Sequence, residues 1–235
     1  MSTIAIMQPY FIPYIGYFHL LKSVDILVLY DDVQYTKKGW INRNYLLLNE
    51  KKEYITLPLV NDSDFLKISE RSLSPTWNIF NKKYMGKIQT SYEKRKNFDK
   101  GIELCKKIFN YEDTNLFNFI YYSIQKICLE MRIETKIIVS SKLGNFSIFK
   151  GKEKVIQICK ALNAKKYVNT IGGSALYDKN YFDYHGVDIK FIKSNLAQYE
   201  QSSNNFVSGL SIIDLIFSIN KENEIQEQLN NYEFI

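Results

Sequence analysis

Short continuous apolar runs alternate along the chain with stretches in which apolar residues recur every three or four positions. Thr3-Ile4-Ala5-Ile6-Met7 is one such run, the form taken by a strand buried on both faces. Pro9 ends it, having no N–H to give to a ladder. Over 13–24, Ile15, Phe18, Leu21 and Val24 fall at helical spacing behind Pro13, which suits a first helical turn. Residues 25–30 hold the next run, Ile26-Leu27-Val28-Leu29. The opening thirty residues read as β-α-β.

Apolar and polar positions then alternate over 42–48 and 54–59, predicting a hairpin across 49–52. Ser74-Pro75-Thr76 marks a helix start, with Thr76 the expected cap of a helix over 77–89. Helices over 97–109 and 115–131 follow. Strands are expected at 135–140, 166–170 and 187–192, and a helix at 152–162. An apolar helix at 210–219, begun by Ser208 or Ser211, precedes a polar, helix-prone tail over 221–235. The expected fold class is α/β: a Rossmann-like, mostly parallel sheet with a helical middle region and a C-terminal helix. One domain over 1–235 is expected, the stretch at about 75–132 being readable as a helical insertion.

Composition changes this picture little. With 46% hydrophobic residues, 10 Gly and 4 Pro, the chain is neither disordered nor a low-complexity scaffold. The net charge is +6, from 31 Lys and Arg against 25 Asp and Glu. The lysines are scattered in pairs among acids, without an arginine cluster, so no nucleic-acid partner is expected. The joint abundance of Ile, Asn and Lys reads as a compositional bias of the source genome. Cys105, Cys128 and Cys159 lie far apart with no C-x-x-C pair, so neither a disulfide framework nor a metal site is expected. No apolar run reaches the eighteen or so residues of a membrane span and none resembles a leader, so a cytoplasmic location is expected. Nothing in the chain specifies an oligomeric state.

In a parallel β-α-β unit, the loops leaving the carboxyl ends of the strands share a crevice. Gln8-Pro9-Tyr10 and Asp31-Asp32-Val33-Gln34-Tyr35 are such loops, and the second continues through Lys38, Trp40, Asn42, Arg43 and Asn44. Amides, bases and aromatic rings there suit a polar, ring-bearing ligand. Asp31 and Asp32, adjacent on an extended chain, face opposite ways, so one of them enters a cleft, as an acceptor for a hydroxyl or amine. His19, in a helix that starts beside the crevice, is a further catalytic candidate. Gly172-Gly173-Ser174 offers backbone N–H groups to an anion without matching a nucleotide fingerprint. Tyr199 and Gln201 stand in a loop where spacing does not choose between anchor and ligand contact.

Ile4-Ala5-Ile6-Met7-Gln8-Pro9-Tyr10-Phe11-Ile12-Pro13-Tyr14-Ile15-Gly16-Tyr17-Phe18, followed by Tyr30-Asp31-Asp32-Val33-Gln34-Tyr35 and Gly39-Trp40-Ile41-Asn42-Arg43-Asn44, resembles the opening of the WbqC-like proteins of bacterial surface-polysaccharide gene clusters. Gly172-Gly173 with Tyr177, Tyr199-x-Gln201 and Leu210-Ser211-Ile212-Ile213-Asp214-Leu215 extend the likeness over nearly the whole chain. Leu196-Ala197 stands where that family carries a His-Pro pair.

The resemblance implies O-antigen or capsule assembly: a transferase that N-acylates or N-aminoacylates a dTDP- or UDP-linked deoxy amino sugar. The donor would be an acyl carrier protein, an acyl-CoA or an activated amino acid, and no bound cofactor is expected. In that reading Asp31 or Asp32 accepts the amine proton. Gln8, Asn42 or Asn44 donates to the developing oxyanion. Arg43 or Lys38 meets the diphosphate, and Tyr10, Tyr35 and Trp40 stack on the ligand. The alternative is a nucleotidyltransferase-like ligand-binding protein or a non-catalytic assembly factor. The opening is also similar to the adenylate-forming nucleotidyltransferases, but the histidines of their H-x-G-H signature are absent.

Overall fold

A computed structural model describes residues 2–203 and 205–235. Strand β1 (Ser2–Met7) lies between β2 (Ile26–Leu29) and β6 (Ala164–Thr170), in a six-stranded sheet ordered β5-β2-β1-β6-β7-β8. The strands β5 (Lys136–Val139) and β7 (Asp188–Ser194) pair in parallel with β2 and β6. Only β8 (Tyr232–Phe234) runs antiparallel, at one edge.

The alternation of the strands sorts their side chains onto two cores. Ile4, Ile6 and Val28 face one layer, containing α5 (Gly151–Ala161) and α6 (Lys179–Tyr184). Ala5, Leu27 and Leu29 face the other. There α1 (Ile15–Lys22), α2 (Trp77–Tyr92), α3 (Phe98–Phe109), α4 (Leu116–Glu130) and α7 (Ile212–Ser218) share one core with the hairpin. That hairpin joins β3 (Arg43–Leu48) and β4 (Lys51–Thr56). The expected mostly parallel α/β fold is therefore present.

Local differences from expectation have local causes. The hairpin turns over two residues, not four: Asn49 and Glu50 both have positive φ, at 50° and 61°, the backbone of a tight hairpin turn. Lys51 and Lys52 then stay in the ladder, opposite Leu48 and Leu47. Thr76 makes no side-chain cap bond. Ser74 Oγ instead accepts from the Thr76 N–H at 3.3 Å. Ser211, one of the two serines expected to begin the apolar helix, caps α7, its hydroxyl accepting from the Ile213 N–H. The tail is helical only over α8 (Glu222–Leu229). Its last residues form β8, where Glu233 pairs with Lys193 across the ladder at 3.0 Å. Periodicity did not reveal this strand because its register is set by β7.

Candidate functional site

The crossover direction reverses between β1 and β6, and ligands in open α/β sheets bind outside the strands' carboxyl ends at such a point. A cleft of about 470 Å³ opens there, lined by Met7 and Gln8 at the end of β1, Tyr30 after β2, and Asn169, Thr170, Gly172, Gly173 and Tyr177 at and beyond the end of β6. Tyr10, Tyr14 and Trp40 line it too. The same three rings border an adjoining hollow of about 300 Å³ with Asn44, Tyr45, Lys52 and Gly209. Sharing those three rings, the two spaces together make an aromatic trough.

Its near wall is built by clips between the two loops read as ligand-bearing. The Phe11 N–H donates to the Trp40 and Ile41 carbonyls at 3.3 and 3.1 Å. Buried Asn44 donates from Nδ2 to the Phe11 and Ile12 carbonyls at 3.1 and 3.0 Å. That clip holds Ile12 at φ 37°, an unfavourable angle for a β-branched residue, so folding stores strain beside the trough. Arg43 donates to the carbonyls of Gly39 (3.1 Å) and Lys38 (2.6 Å), closing the turn that presents Trp40, which is 41% exposed. Trp40 stands edge-on to Tyr45, which stacks on Tyr54 with centroids 4.0 Å apart. The Arg43 guanidinium and Lys52 ammonium lie over Tyr54 and Tyr45 at 4.7 and 4.5 Å. Tyr17 O–H donates to the Gln8 carbonyl at 3.2 Å and fixes the backbone from which the Gln8 amide projects. Gly16 leaves room for the Tyr14 ring, which an added Cβ would displace.

On the far wall, Asn169 Oδ1 accepts from the Thr170 N–H at 2.7 Å and Nδ2 donates to Tyr167 Oη at 3.2 Å. Gly173 packs onto that amide, where an added Cβ would come within 2.8 Å of Asn169 Nδ2. No charged side chain lines the larger space among the described residues, and Lys52 alone does so in the adjoining one. Burial raises the hydroxyl pKa of Tyr10, Tyr14, Tyr17 and Tyr30. These phenols stay protonated at neutral pH and act as donors.

Of the residues singled out from sequence, Gln8, Tyr10, Trp40, Asn44, Gly172 and Gly173 line the trough, with Pro9 buried between Gln8 and Tyr10. The others lie elsewhere. Asp31 is buried, its Oδ1 accepting from the Ser141 N–H at 2.9 Å. Asp32 turns the opposite way and pairs with Lys154 of α5 at 2.7 Å, both side chains being nearly buried. Lys154 also sits 4.9 Å from the Tyr30 ring centre, behind the trough. Gln34 donates to the Asp64 carbonyl, and Lys38 is exposed. Tyr35 donates to Asn42 Oδ1 and Asn42 Nδ2 to the Leu57 carbonyl, each at 2.9 Å, so this pair fastens the loop to the hairpin. His19 is fully buried, its Nε2 2.8 Å from the Gln228 carbonyl of α8. Tyr199 and Gln201 donate to Asp214 Oδ2 at 2.8 and 3.1 Å, while Tyr92 donates to Oδ1 at 2.7 Å. That knot anchors their loop to α7.

A model of the WbqC-like protein family matches residues 8–226, a span holding every trough residue named above except Met7. The chain belongs to the WbqC-like family. It is also 29% identical over 227 residues to the uncharacterized protein Rv1507c of Mycobacterium tuberculosis (strain ATCC 25618 / H37Rv), covering 94% of this chain and 96% of that protein. No solved structure matches the chain.

In this WbqC-like chain the unforeseen trough residues include Tyr14, Tyr30, Tyr45, Lys52, Asn169 and Thr170. Asn169-Thr170 ends an apolar run just before Gly172-Gly173, a signal available in the sequence. Lys154 carried none, since a lysine in an amphipathic helix reads as solvated. All three cysteines are buried, and burial pushes the Cys128 and Cys159 thiols up to about 12. Thiolate chemistry at neutral pH is disfavoured at both. No described helix is long and apolar enough to cross a membrane.

Proposed function

We propose that this WbqC-like protein binds a nucleotide-linked deoxy amino sugar in the trough and N-acylates or N-aminoacylates it, as a transferase of surface-polysaccharide biosynthesis. The supporting observation is the lining itself: rings of Tyr10, Tyr14, Trp40 and Tyr177 with the amides of Gln8 and Asn169, at a parallel-sheet switch point. Aromatic faces with few charges suit a sugar and a base, and Lys52 beside the adjoining hollow offers a cation to phosphate. In the reaction the sugar amine attacks the activated carbonyl of the donor. A C–N bond forms, the bond from carbonyl carbon to leaving group breaks, and the departing thiolate or alkoxide takes up the proton that the amine releases. An acyl carrier protein, an acyl-CoA or an activated amino acid would supply the carbonyl. Asp32 stands in this scheme as a charge held behind Tyr30.

The test is incubation with a panel of dTDP- and UDP-linked amino sugars and each donor type, followed by mass spectrometry. An acyl mass gain that Trp40→Ala and Gln8→Ala reduce at least tenfold supports the proposal. Turnover at the wild-type rate in Asp32→Ala, Gln34→Ala and Arg43→Ala together removes their roles. A second reading is binding without turnover, for which the absence of any carboxylate among the described trough residues speaks. Saturable thermal stabilisation by the sugar nucleotide with no product under any donor selects that reading.

A further inference from the structure

The two halves of the trough have Tyr10, Tyr14 and Trp40 in common and no other residue. In the hollow of about 300 Å³, Lys52 is the one charged lining residue, and no acid accompanies it among the described residues. Although exposed, this lysine is held. Its backbone sits in the β3–β4 ladder opposite Leu47, while its Nζ donates to the Ser208 carbonyl at 3.1 Å and lies 4.5 Å from the Tyr45 ring centre. An ammonium has three N–H donors, so two remain for a ligand. Gly209, next after that carbonyl, lines the same hollow with φ at 71°. Its N–H has no acceptor among the described residues. A held cation and a backbone N–H without a partner thus border one space with the rings of Trp40 and Tyr45: donors for an anion beside surfaces for a planar base.

The larger cleft is different in kind. Its polar lining is neutral: the half-buried Gln8 amide, Asn169, Thr170 and the phenols of Tyr30 and Tyr177. Such groups match the hydroxyls and amine of a sugar and give a diphosphate no countercharge. The trough therefore has a charged end and a neutral end, with three shared rings between them.

Resting on the reading of the trough as a sugar-nucleotide site, we propose that the occupant lies in one direction only. Its diphosphate meets Lys52 and the Gly209 N–H, its base lies against Trp40 and Tyr45, and its amino sugar fills the larger cleft, the linkage crossing the shared rings. Lys52 is then the residue that distinguishes a nucleotide-linked sugar from a free one, and the reacting amine lies on the Gln8 side, away from the cation. Isothermal titration calorimetry tests this with UDP and UDP-glucosamine, and in parallel with dTDP and dTDP-glucosamine, the tighter series being carried through the variants. Lys52→Gln, an exposed change, should weaken the nucleoside diphosphate at least tenfold and reduce the salt dependence of its binding, and Lys52→Arg should restore most of the affinity. Gln8→Ala should leave the diphosphate unchanged and remove the extra affinity that the attached amino sugar gives. Diphosphate binding unaltered by Lys52→Gln, or weakened by Gln8→Ala as much as that of the sugar conjugate, overturns the proposed direction while acyl transfer is judged by its own assay. Failure of the wild-type protein to bind a nucleotide of either series overturns both.

Discussion

The side chains most exposed to disruption are those whose neighbours leave them no alternative. Lys154 and Asp32 are 7% and 12% exposed and face each other at 2.7 Å. Lys154→Met leaves a buried carboxylate uncompensated, and chemical denaturation should show a loss of about 3–5 kcal/mol. The double variant with Asp32→Asn should recover much of that loss, since neither charge is then buried alone. Gly16→Ala probes function rather than stability: the Tyr14 ring must swing from its place, while the far end of that side chain is free to move. The expected cost is about 1 kcal/mol of trough binding, roughly fivefold in Kd, with little change in melting temperature. His19 sets a pH limit. Burial lowers its pKa, and Nδ1 has no partner among the described residues, so the neutral ring donating to the Gln228 carbonyl is the stable form. The unfolded chain then binds more protons than the native one as pH falls through the free histidine value of about 6.5. Stability should be full above that value and decline below it. His19→Asn should flatten this part of the stability–pH curve.

Elements were legible in the sequence where burial on both sides wrote them plainly. The runs at 3–7 and 25–30 became β1 and β2, and the helical middle appeared as three helices because their apolar periodicity faces a single core. Legibility failed where an element owes its form to a remote partner. Residues 232–234 are a strand because β7 offers an edge, and α6 is a short turn of helix capped by Asp178 between two elements of the sheet layer. The trough follows the same division. Gln8, Tyr10 and Trp40 were visible because the loops after parallel strands converge by topology. Asp31, Asn42 and Arg43 belong to the same dense stretch, yet their side chains hold backbone. Residue type alone does not distinguish a group that meets a ligand from one that shapes the loop doing so. The Asp214 knot is another such case. Asp214→Asn would replace a carboxylate accepting from Tyr92, Tyr199 and Gln201 with an amide bearing one acceptor oxygen. Faster proteolysis within 195–209 than in wild type is the expected readout, with the sheet still folded.

At the scale of the whole molecule, β8 covers the edge of β7 and follows directly from α8, which receives the His19 bond. Removing residues 230–235 should leave a folded protein that associates with rising concentration, detectable by analytical ultracentrifugation, because a bare strand edge pairs with another chain. The trough draws on residues from positions 6 to 209, and its two walls come from segments far apart in the chain. Any occupant must consequently wait for chain collapse to finish, and once seated it props up distant parts of the polypeptide together. Amide exchange in the presence of ligand should slow across both helical layers rather than in a patch, making occupancy a report on the integrity of the entire chain.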